Sequence, residues 1–493
     1  MATIKLDLDR IHGAIDKRMF GFFTEHLSRI IYKGIFEPGS PLSDSDGFRK
    51  DVIKALEAFS PSMLRWPGGN FASGYDWKKG IGTTRKPVYD PVWRVVEPNT
   101  FGTDEFVKYC RKIGSEPYIC VNAGDGEQRE AMQWVEYCNG KAGTEIADLR
   151  VKNGYIEPYG VKTWGLGNEL CGDWQLGNKS AENYAAIALE YAKAMRLVDP
   201  TIELVAAGGI HMWDFEQVER NWDRIILERL VGIIDYVGLH FYARKMPGLP
   251  DKDASYRQHM AEPEWLDKNI NMLRGEIFKA EYHMSGKEPR GIKIAADELG
   301  VCFETETHSD LQDALVSACL INTLLNNTDI VAFCSYTSIA NVFSPIFTSE
   351  DGLLLQTVYY PLELFARLAS GYALDLYVES PRFDSNVLKG LPLLHASAAH
   401  DPDMGSVSLF VVNRDPKNDI ETEIIMQGEY KDASYVVHEV NGSALDVRNT
   451  FENSLNVCTV VRTENSGWNN GRLNYVFPAH SFTVITFSTC GNV

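Results

Sequence analysis

Hydrophobic and polar positions along the chain change rhythm near residue 369. From about Phe20 to Ala369, short apolar runs rich in β-branched and aromatic residues alternate with longer helical patterns. That alternation marks βα units around a parallel sheet. Eight runs have strand character: Met19–Thr24, Ser62–Trp66, Pro117–Asn122, Val161–Leu166, Glu203–Ala207, Tyr236–Phe241, Ile292–Ala296 and Ile330–Tyr336. A (β/α)₈ barrel closes with eight strands. Helical periodicity predicts Asp104–Ile113 after the second strand and Ala181–Val198 after the fourth, with Tyr184, Ile187, Tyr191 and Met195 on one face. Asp310–Leu325 is apolar almost all round, which predicts a buried helix, and Ser309 and Gln312 stand at capping-box spacing. Lys78–Thr100 and Lys245–Glu264 mix Pro, Gly and charge without clear periodicity. Because they follow strands two and six, they are expected as βα loops over the catalytic face.

Beyond Ala369 the segments Ser406–Asn413, Glu421–Gln427, Ser434–Val440, Asn456–Arg462 and Ser481–Phe487 are strand-like. Turn signals such as Asn441-Gly442 and Asn470-Gly471 separate them. The alternating segment Ile4–Leu8 can pair with them. The expectation is an α/β chain with a (β/α)₈ TIM barrel over residues 16–368, followed by an antiparallel β-sandwich built from residues 1–15 and 369–493.

At 493 residues, 44% hydrophobic and 23% charged, the chain has enough apolar residues for a large core. A net charge of −19 argues against nucleic-acid or anionic-membrane partners, which need clustered Lys and Arg. The N-terminus lacks the apolar core of a signal peptide, and no run approaches the ~20 apolar residues of a membrane span. A cytoplasmic location is therefore expected. The nine cysteines are scattered without a CxxC pair, and Cys110, Cys120, Cys319 and Cys334 lie in apolar stretches that suit buried reduced thiols. No cofactor and no structural metal are expected.

In a barrel the active site lies at the C-terminal ends of the strands. Polar groups follow the apolar runs at that end: Glu25-His26, Arg65-Trp66-Pro67-Gly68-Gly69-Asn70, Gly167-Asn168-Glu169, His240-Phe241-Tyr242 and Asp297-Glu298. Glycosidic bonds have poor leaving groups. Their hydrolysis needs a proton donor on the departing oxygen and a second carboxylate to attack the anomeric carbon or to activate water. Glu169 after strand four and Glu298 after strand seven face each other across the mouth and supply that pair. Metal-dependent hydrolysis using His26, His211 and His240 is the weaker alternative, since these residues lack ligand spacing such as HExxH.

The strings Gly165-Leu166-Gly167-Asn168-Glu169-Leu170, Arg65-Trp66-Pro67-Gly68-Gly69-Asn70-Phe71, Phe101-Gly102-Thr103-Asp104-Glu105-Phe106, Leu239-His240-Phe241-Tyr242 and Ala296-Asp297-Glu298 resemble glycoside hydrolase family 51, the α-L-arabinofuranosidases. The resemblance runs from about Phe20 to Leu364. It implies a retaining double displacement with Glu169, kept protonated by its surroundings, as acid/base and Glu298 as nucleophile, and release of terminal arabinofuranosyl groups from arabinose-containing oligosaccharides or polysaccharides. It also implies that Glu25, Asn70 and Asn168 bind sugar hydroxyls, that Tyr242 holds the nucleophile with His240 nearby, and that Trp93 packs on the substrate. A homo-oligomer, commonly a hexamer, is implied as well. The residues alone leave blander readings open: turn chemistry for Asn70, a satisfied interior histidine for His240 and loop packing for Trp93.

Three positions depart from the family pattern. Leu299 and then Cys302-Phe303 stand where many members have aromatic residues. Tyr336-Thr337-Ser338-Ile339-Ala340-Asn341 lacks a common Gln. Asn70 replaces a Cys found in some members. The alternatives weighed are a β-1,4-glucanase or β-xylosidase on the same scaffold and, in a different class, a non-catalytic sugar-binding protein.

Overall fold

The computed structural model describes residues 1–210, 221–284, 288–302, 308–428, 434–465, 468 and 471–488. His211, Phe303 and Asn470 therefore lie outside the described residues.

Eight parallel strands close into a barrel. They are β1 (Gly21–Phe23), β2 (Met63–Trp66), β3 (Glu116–Cys120), β4 (Thr163–Leu166), β5 (Glu203–Ala206), β6 (Tyr236–Arg244), β7 (Lys293–Cys302) and β8 (Val331–Thr337). Each pairs with its neighbour in sequence, and β8 returns to β1 through Ser335 opposite Gly21. All eight expected strands are present, with two informative differences. Lys17–Phe20 is a 3₁₀ turn capped by Asp16, so β1 starts later than its apolar run suggests. β6 and β7 run on to Arg244 and Cys302, past the polar residues taken as their ends. Inward-facing acids within a strand read as a terminus in sequence because apolar alternation stops there.

The helix Ala181–Val198 has the expected bounds, and Ser180 caps it by accepting from the Asn183 N–H. The helix Thr103–Ile113 ends at Gly114, whose φ of 75° supplies a left-handed cap. In the helix Leu311–Leu325 every residue except Gln312 is buried. Its capping box is made by Asp310 and Asp313, not by Ser309 and Gln312. Ser309 is held one residue too early, its hydroxyl on Thr357 and its N–H on Gln356. The segment Lys78–Thr100 contains an antiparallel hairpin, Val88–Asp90 with Val95–Glu97. Lys245–Glu264 is largely helical, with Lys252–His259 followed by the start of Glu262–Tyr282.

Most of the remaining strands form two larger sheets, beside the two-stranded pairs Ile346–Thr348 with Leu353–Leu355 and Arg382–Phe383 with Leu391–Pro392. One has four strands and contains Ala2–Asp7; the other has seven and contains Leu394–Asp401, Ser406–Asn413 and Ser481–Ser488. Most pairings are antiparallel, but Ala2–Asp7 runs parallel to Ile420–Gln427, a pairing of the two ends of the chain that no hairpin can make. The buried helix Leu311–Leu325 lies between the barrel and the seven-stranded sheet. Asn322 donates to the His395 carbonyl and accepts from the Ser397 hydroxyl, while Asn326 donates to the Ala396 carbonyl. Phe365 stacks on Phe410 and Phe482 at centroid distances of 4.5 and 5.1 Å. The eight cysteines among the described residues are free, and no described helix is long and apolar enough to cross a membrane.

Arg414 is a buried charged tie between barrel and sandwich. Its side chain is fully buried, and it donates to the Met260 carbonyl, to Glu264 Oε1 at 3.0 Å and to the Pro392 carbonyl. Truncation leaves several acceptors without a donor. Arg414→Ala is expected to lower stability by about 3 kcal/mol or more, read as an earlier midpoint in chemical denaturation.

Candidate active site

Pairing along β7 slips between Ala296 and Leu299, and pairing with β6 slips between Gly238 and His240. A bulge of this kind lets consecutive residues share one side of a strand. Asp297 and Glu298 both turn into the barrel. Asp297 Oδ2 accepts from the Tyr118 hydroxyl at 2.7 Å, and Glu298 accepts from Arg65 Nη1 and from the Tyr242 hydroxyl, each at 2.7 Å. Gly238 lies opposite, where an added methyl would come within 2.8 Å of Asp297 Oδ1. Leu299 falls on the other side of the slip, paired with Phe241 and Tyr336 and fully buried in the main core.

Glu169 follows β4 in a left-handed conformation, with φ of 44°. Non-glycine residues seldom adopt it, and it costs of order 1–3 kcal/mol. Glu169 Oε1 lies 2.9 Å from His240 Nδ1, and Oε2 accepts from the Trp174 indole N–H at 3.0 Å. His240 also stands 3.7 Å from Glu298 Oε2 and, through Nε2, 3.4 Å from Asp297 Oδ1. Oxygens of Glu169 and Glu298 and a nitrogen of His240 all fall within 4.8 Å of one another.

Arg65 supports this group from below. Its side chain is 1% exposed and bridges Glu298 Oε1, Asn168 Oδ1 at 2.7 Å and, at 3.5 Å, Asp297 Oδ2. Asn168 Nδ2 is buried with no partner among the described residues. A buried donor left in that state costs about 1–3 kcal/mol, which a ligand oxygen can recover.

Glu25, at the end of β1, is buried, and its Oε1 accepts from the Phe71 N–H at 2.9 Å and from the Trp93 indole at 3.1 Å. Trp93 lies in the turn of the hairpin after β2, where Asp90 accepts from its backbone N–H. Gly68 and Gly69 are required for close approach. A methyl on Gly68 would overlap the Glu25 side chain, and one on Gly69 would lie 3.2 Å from Glu298 Oε1 and 3.5 Å from Glu25 Oε2. Asn70 begins the next turn and is partly exposed. Its carbonyl meets Gln175 Nε2, from the Glu169 loop, at 3.5 Å.

Charge balance sets the protonation. Burial alone would lower the His240 pKa, but Glu298, Asp297 and Glu169 outweigh it and push the imidazole up to about 10. Burial would raise the Glu169 pKa, but the His240 hydrogen bond and charge, with Trp174 and Arg65, hold it below the usual carboxylate value. These balances favour a Glu169 carboxylate beside a His240 imidazolium. This differs from a glutamic acid kept neutral by its surroundings, which is the ordinary expectation for a general acid. Burial, reinforced by the charge of Glu298, lifts Glu25 to about 8 against two opposing hydrogen bonds.

The fold thus brings Glu25, Trp93, Asn168, Glu169, His240, Tyr242 and Glu298 into one network, with Asn70 at its edge. His26 is turned away. Its Nδ1 meets Glu97 and its Nε2 accepts from the Trp66 indole, each at 3.0 Å, so it does not share a ligand set with His240. Among the described residues the one cluster with metal-ligand spacing is Glu169, His240 and Glu298, whose polar atoms already satisfy one another through protons and Arg65.

Trp174 and Tyr118 were not singled out from sequence, and Arg65 appeared there only within a motif, without a role. Arg65 carried a signal, a lone charge inside an apolar strand. Thr337 Oγ1 lies 3.1 Å from the Tyr242 hydroxyl, near where family members carry Gln, while Ser338 bonds the carbonyls of its own loop.

Sequence profiles described as the α-L-arabinofuranosidase 1 domain and the α-L-arabinofuranosidase C-terminal domain match residues 55–261 and 297–481. An intracellular exo-α-(1→5)-L-arabinofuranosidase of Halalkalibacterium halodurans is 36% identical, covering 84% of this chain and 85% of its own. The chain belongs to the family 51 α-L-arabinofuranosidases. Two solved structures of that family support this arabinofuranosidase assignment. The enzyme of Bifidobacterium longum superposes with a TM-score of 0.92 at 30% identity, covering 99% of each chain. That of Thermotoga petrophila gives 0.90 at 35% identity, covering 99% of this chain and all of its own. The arabinofuranosidase is accordingly a glycoside hydrolase.

The Glu25 pKa makes a stability prediction. Its folded value, about 8, lies above the ordinary 4.5, so the stability tied to its proton is complete below pH 4.5 and is lost as pH rises through 8. Gln at this position keeps an acceptor for Phe71 and Trp93 but cannot ionise. Glu25→Gln is expected to gain stability over wild type between pH 5 and 9, by an amount on the order of a few kcal/mol. Thermal unfolding at the two pH values measures it; an equal gap at both would contradict the assignment.

Proposed function

We propose that this arabinofuranosidase is a retaining, exo-acting enzyme that removes terminal non-reducing α-L-arabinofuranosyl residues from arabino-oligosaccharides. The observation carrying this reading is the approach of Glu169 and Glu298 within 4.8 Å. Retaining enzymes hold their carboxyl groups roughly 5–5.5 Å apart, whereas inverting ones leave roughly 6.5–9.5 Å for a water.

In this mechanism Glu298 attacks the anomeric carbon as a carboxylate, oriented by Arg65 and by the Tyr242 hydroxyl. Glu169 protonates the departing oxygen and then takes a proton from the water that releases arabinose. Its proton is held jointly with His240 across 2.9 Å. Asn168 gives its acceptor to Arg65 and keeps Nδ2 for the sugar 2-hydroxyl, a contact that strengthens as the oxocarbenium-like transition state forms. Glu25 and Asn70 bind further hydroxyls, and Trp93 closes the pocket over the furanose. That closure by the hairpin favours exo action, in keeping with the exo-acting relative. The same reading assigns residues 16–368 to the catalytic barrel and residues 1–15 with 369–493 to the sandwich. It places the enzyme in the cytoplasm, since that relative is named intracellular.

A panel of nitrophenyl glycosides tests the reading. Wild type should turn over the α-L-arabinofuranoside well ahead of the β-D-xyloside, β-D-glucoside and β-cellobioside. Glu298→Ala should lose at least about 10³-fold in kcat/KM, in the range seen for removing groups that act in the bond-breaking step. Turnover of the β-linked pyranosides instead would move the function to the glucanase or xylosidase alternative. Full activity of Glu298→Ala would remove it from the mechanism.

A further inference from the structure

Both oxygens of Glu169 carry a hydrogen-bond donor, and the two donors differ in kind. His240 Nδ1, on Oε1, can give up or take back a proton. The Trp174 indole, on Oε2, is a donor only and keeps its proton throughout the working range of any glycosidase. While that bond stands, a proton on Oε2 is disfavoured, because a carboxyl hydroxyl oxygen is a weaker acceptor than a carboxylate or carbonyl oxygen. Oε1 is also the oxygen on the side of the opposing carboxylate, because its partner His240 Nδ1 is 3.7 Å from Glu298 Oε2.

The chain is built to hold the indole there. Glu169 to Gln175 forms a tight turn, with the Gly172 N–H on the Glu169 carbonyl at 2.9 Å and the Gln175 N–H on the Gly172 carbonyl at 3.1 Å. Gln175 is buried and anchors the turn to the loop after β2 through the Ser73 hydroxyl. The Trp174 ring lies against Gly172 so closely that any side chain at Gly172 would overlap it. Glycine at 172 therefore serves as the seat of the indole.

Resting on the assignment of Glu169 as acid/base, we propose that Trp174 is a positioning residue for the general acid. Its N–H pins Oε2, so that the catalytic proton leaves and returns through Oε1, and Gly172 provides its seat. Protons balance over the cycle. One passes from His240 Nδ1 through Oε1 to the glycosidic oxygen as the sugar–oxygen bond breaks, and one returns from the attacking water through Oε1 to His240 as the sugar–enzyme bond breaks. The Trp174 proton is never transferred.

Two variants test this. Trp174→Phe keeps the ring and removes the donor, and Gly172→Ala keeps the donor and displaces it. Both are assayed on aryl α-L-arabinofuranosides whose leaving groups span dinitrophenol to phenol. General acid help is worth about 10²–10⁴-fold, so losing its alignment should cost about tenfold or more on the phenyl substrate. The dinitrophenyl substrate needs little protonation and should change less than about threefold, on the same principle. Without the donor the Glu169–His240 pair binds its proton more tightly, so the alkaline limb of kcat/KM should move to higher pH in Trp174→Phe. A uniform loss across the series, or a rise confined to KM, would overturn the proposal and leave Trp174 as a packing or sugar-contacting residue. Glu169→Ala is run in parallel. If it shows no leaving-group dependence of its own, the acid/base assignment fails, whatever the Trp174 variants do.

Discussion

Four carboxyl groups, those of Glu25, Glu169, Asp297 and Glu298, are buried together at the mouth of this barrel. Burying like charges together is among the costliest arrangements a fold can hold, unless cations and hydrogen bonds meet them. Arg65 is the cation on which the arrangement depends. It holds Glu298 and Asn168 directly and Asp297 at longer range, from a strand buried on both faces. His240 supplies the second positive charge among Glu169, Asp297 and Glu298. Glu25 lies beyond this pair and is left to hold its proton up to about pH 8. Each carboxyl group thus has a distinct environment although all four have the same chemistry, and that difference separates a nucleophile from an acid.

Geometry reinforces the electrostatics. Bulges in β6 and β7 let Asp297 and Glu298 share the interior without leaving the sheet. The glycines at 68, 172 and 238 stand where a side chain would strike Glu25, Trp174 or Asp297, and one at 69 would crowd Glu298. Strain stored at Glu169 is offset by the surrounding network.

The barrel was legible in sequence because its strands are buried on both faces and read as compact apolar runs between helical patterns. The C-terminal sheets were legible from short alternating segments. What escaped were features that depend on distant partners. The parallel pairing of Ala2–Asp7 with Ile420–Gln427 has no local signature. The cap of the buried helix fell one residue from its motif because Ser309 was already engaged by Gln356 and Thr357. In the site, acids after apolar runs pointed to Glu169 and Glu298, since a carboxylate at a strand end is conspicuous. Arg65 was hidden inside a motif, and Trp174 lies five residues beyond Glu169 in a loop whose turn only the folded chain reveals. The charge state of Glu169 ran against the expected protonated acid, because it is set by His240 from another strand.

The central claim is that Glu298 forms a covalent bond to the sugar while Glu169 manages the proton. It is tested most directly by mass spectrometry of Glu169→Ala mixed with dinitrophenyl α-L-arabinofuranoside, where the second step should be slow. The account predicts an enzyme heavier by one arabinosyl group, with the adduct on the peptide containing Glu298. An unmodified enzyme that still turns over this substrate, or an adduct on another residue, would contradict it.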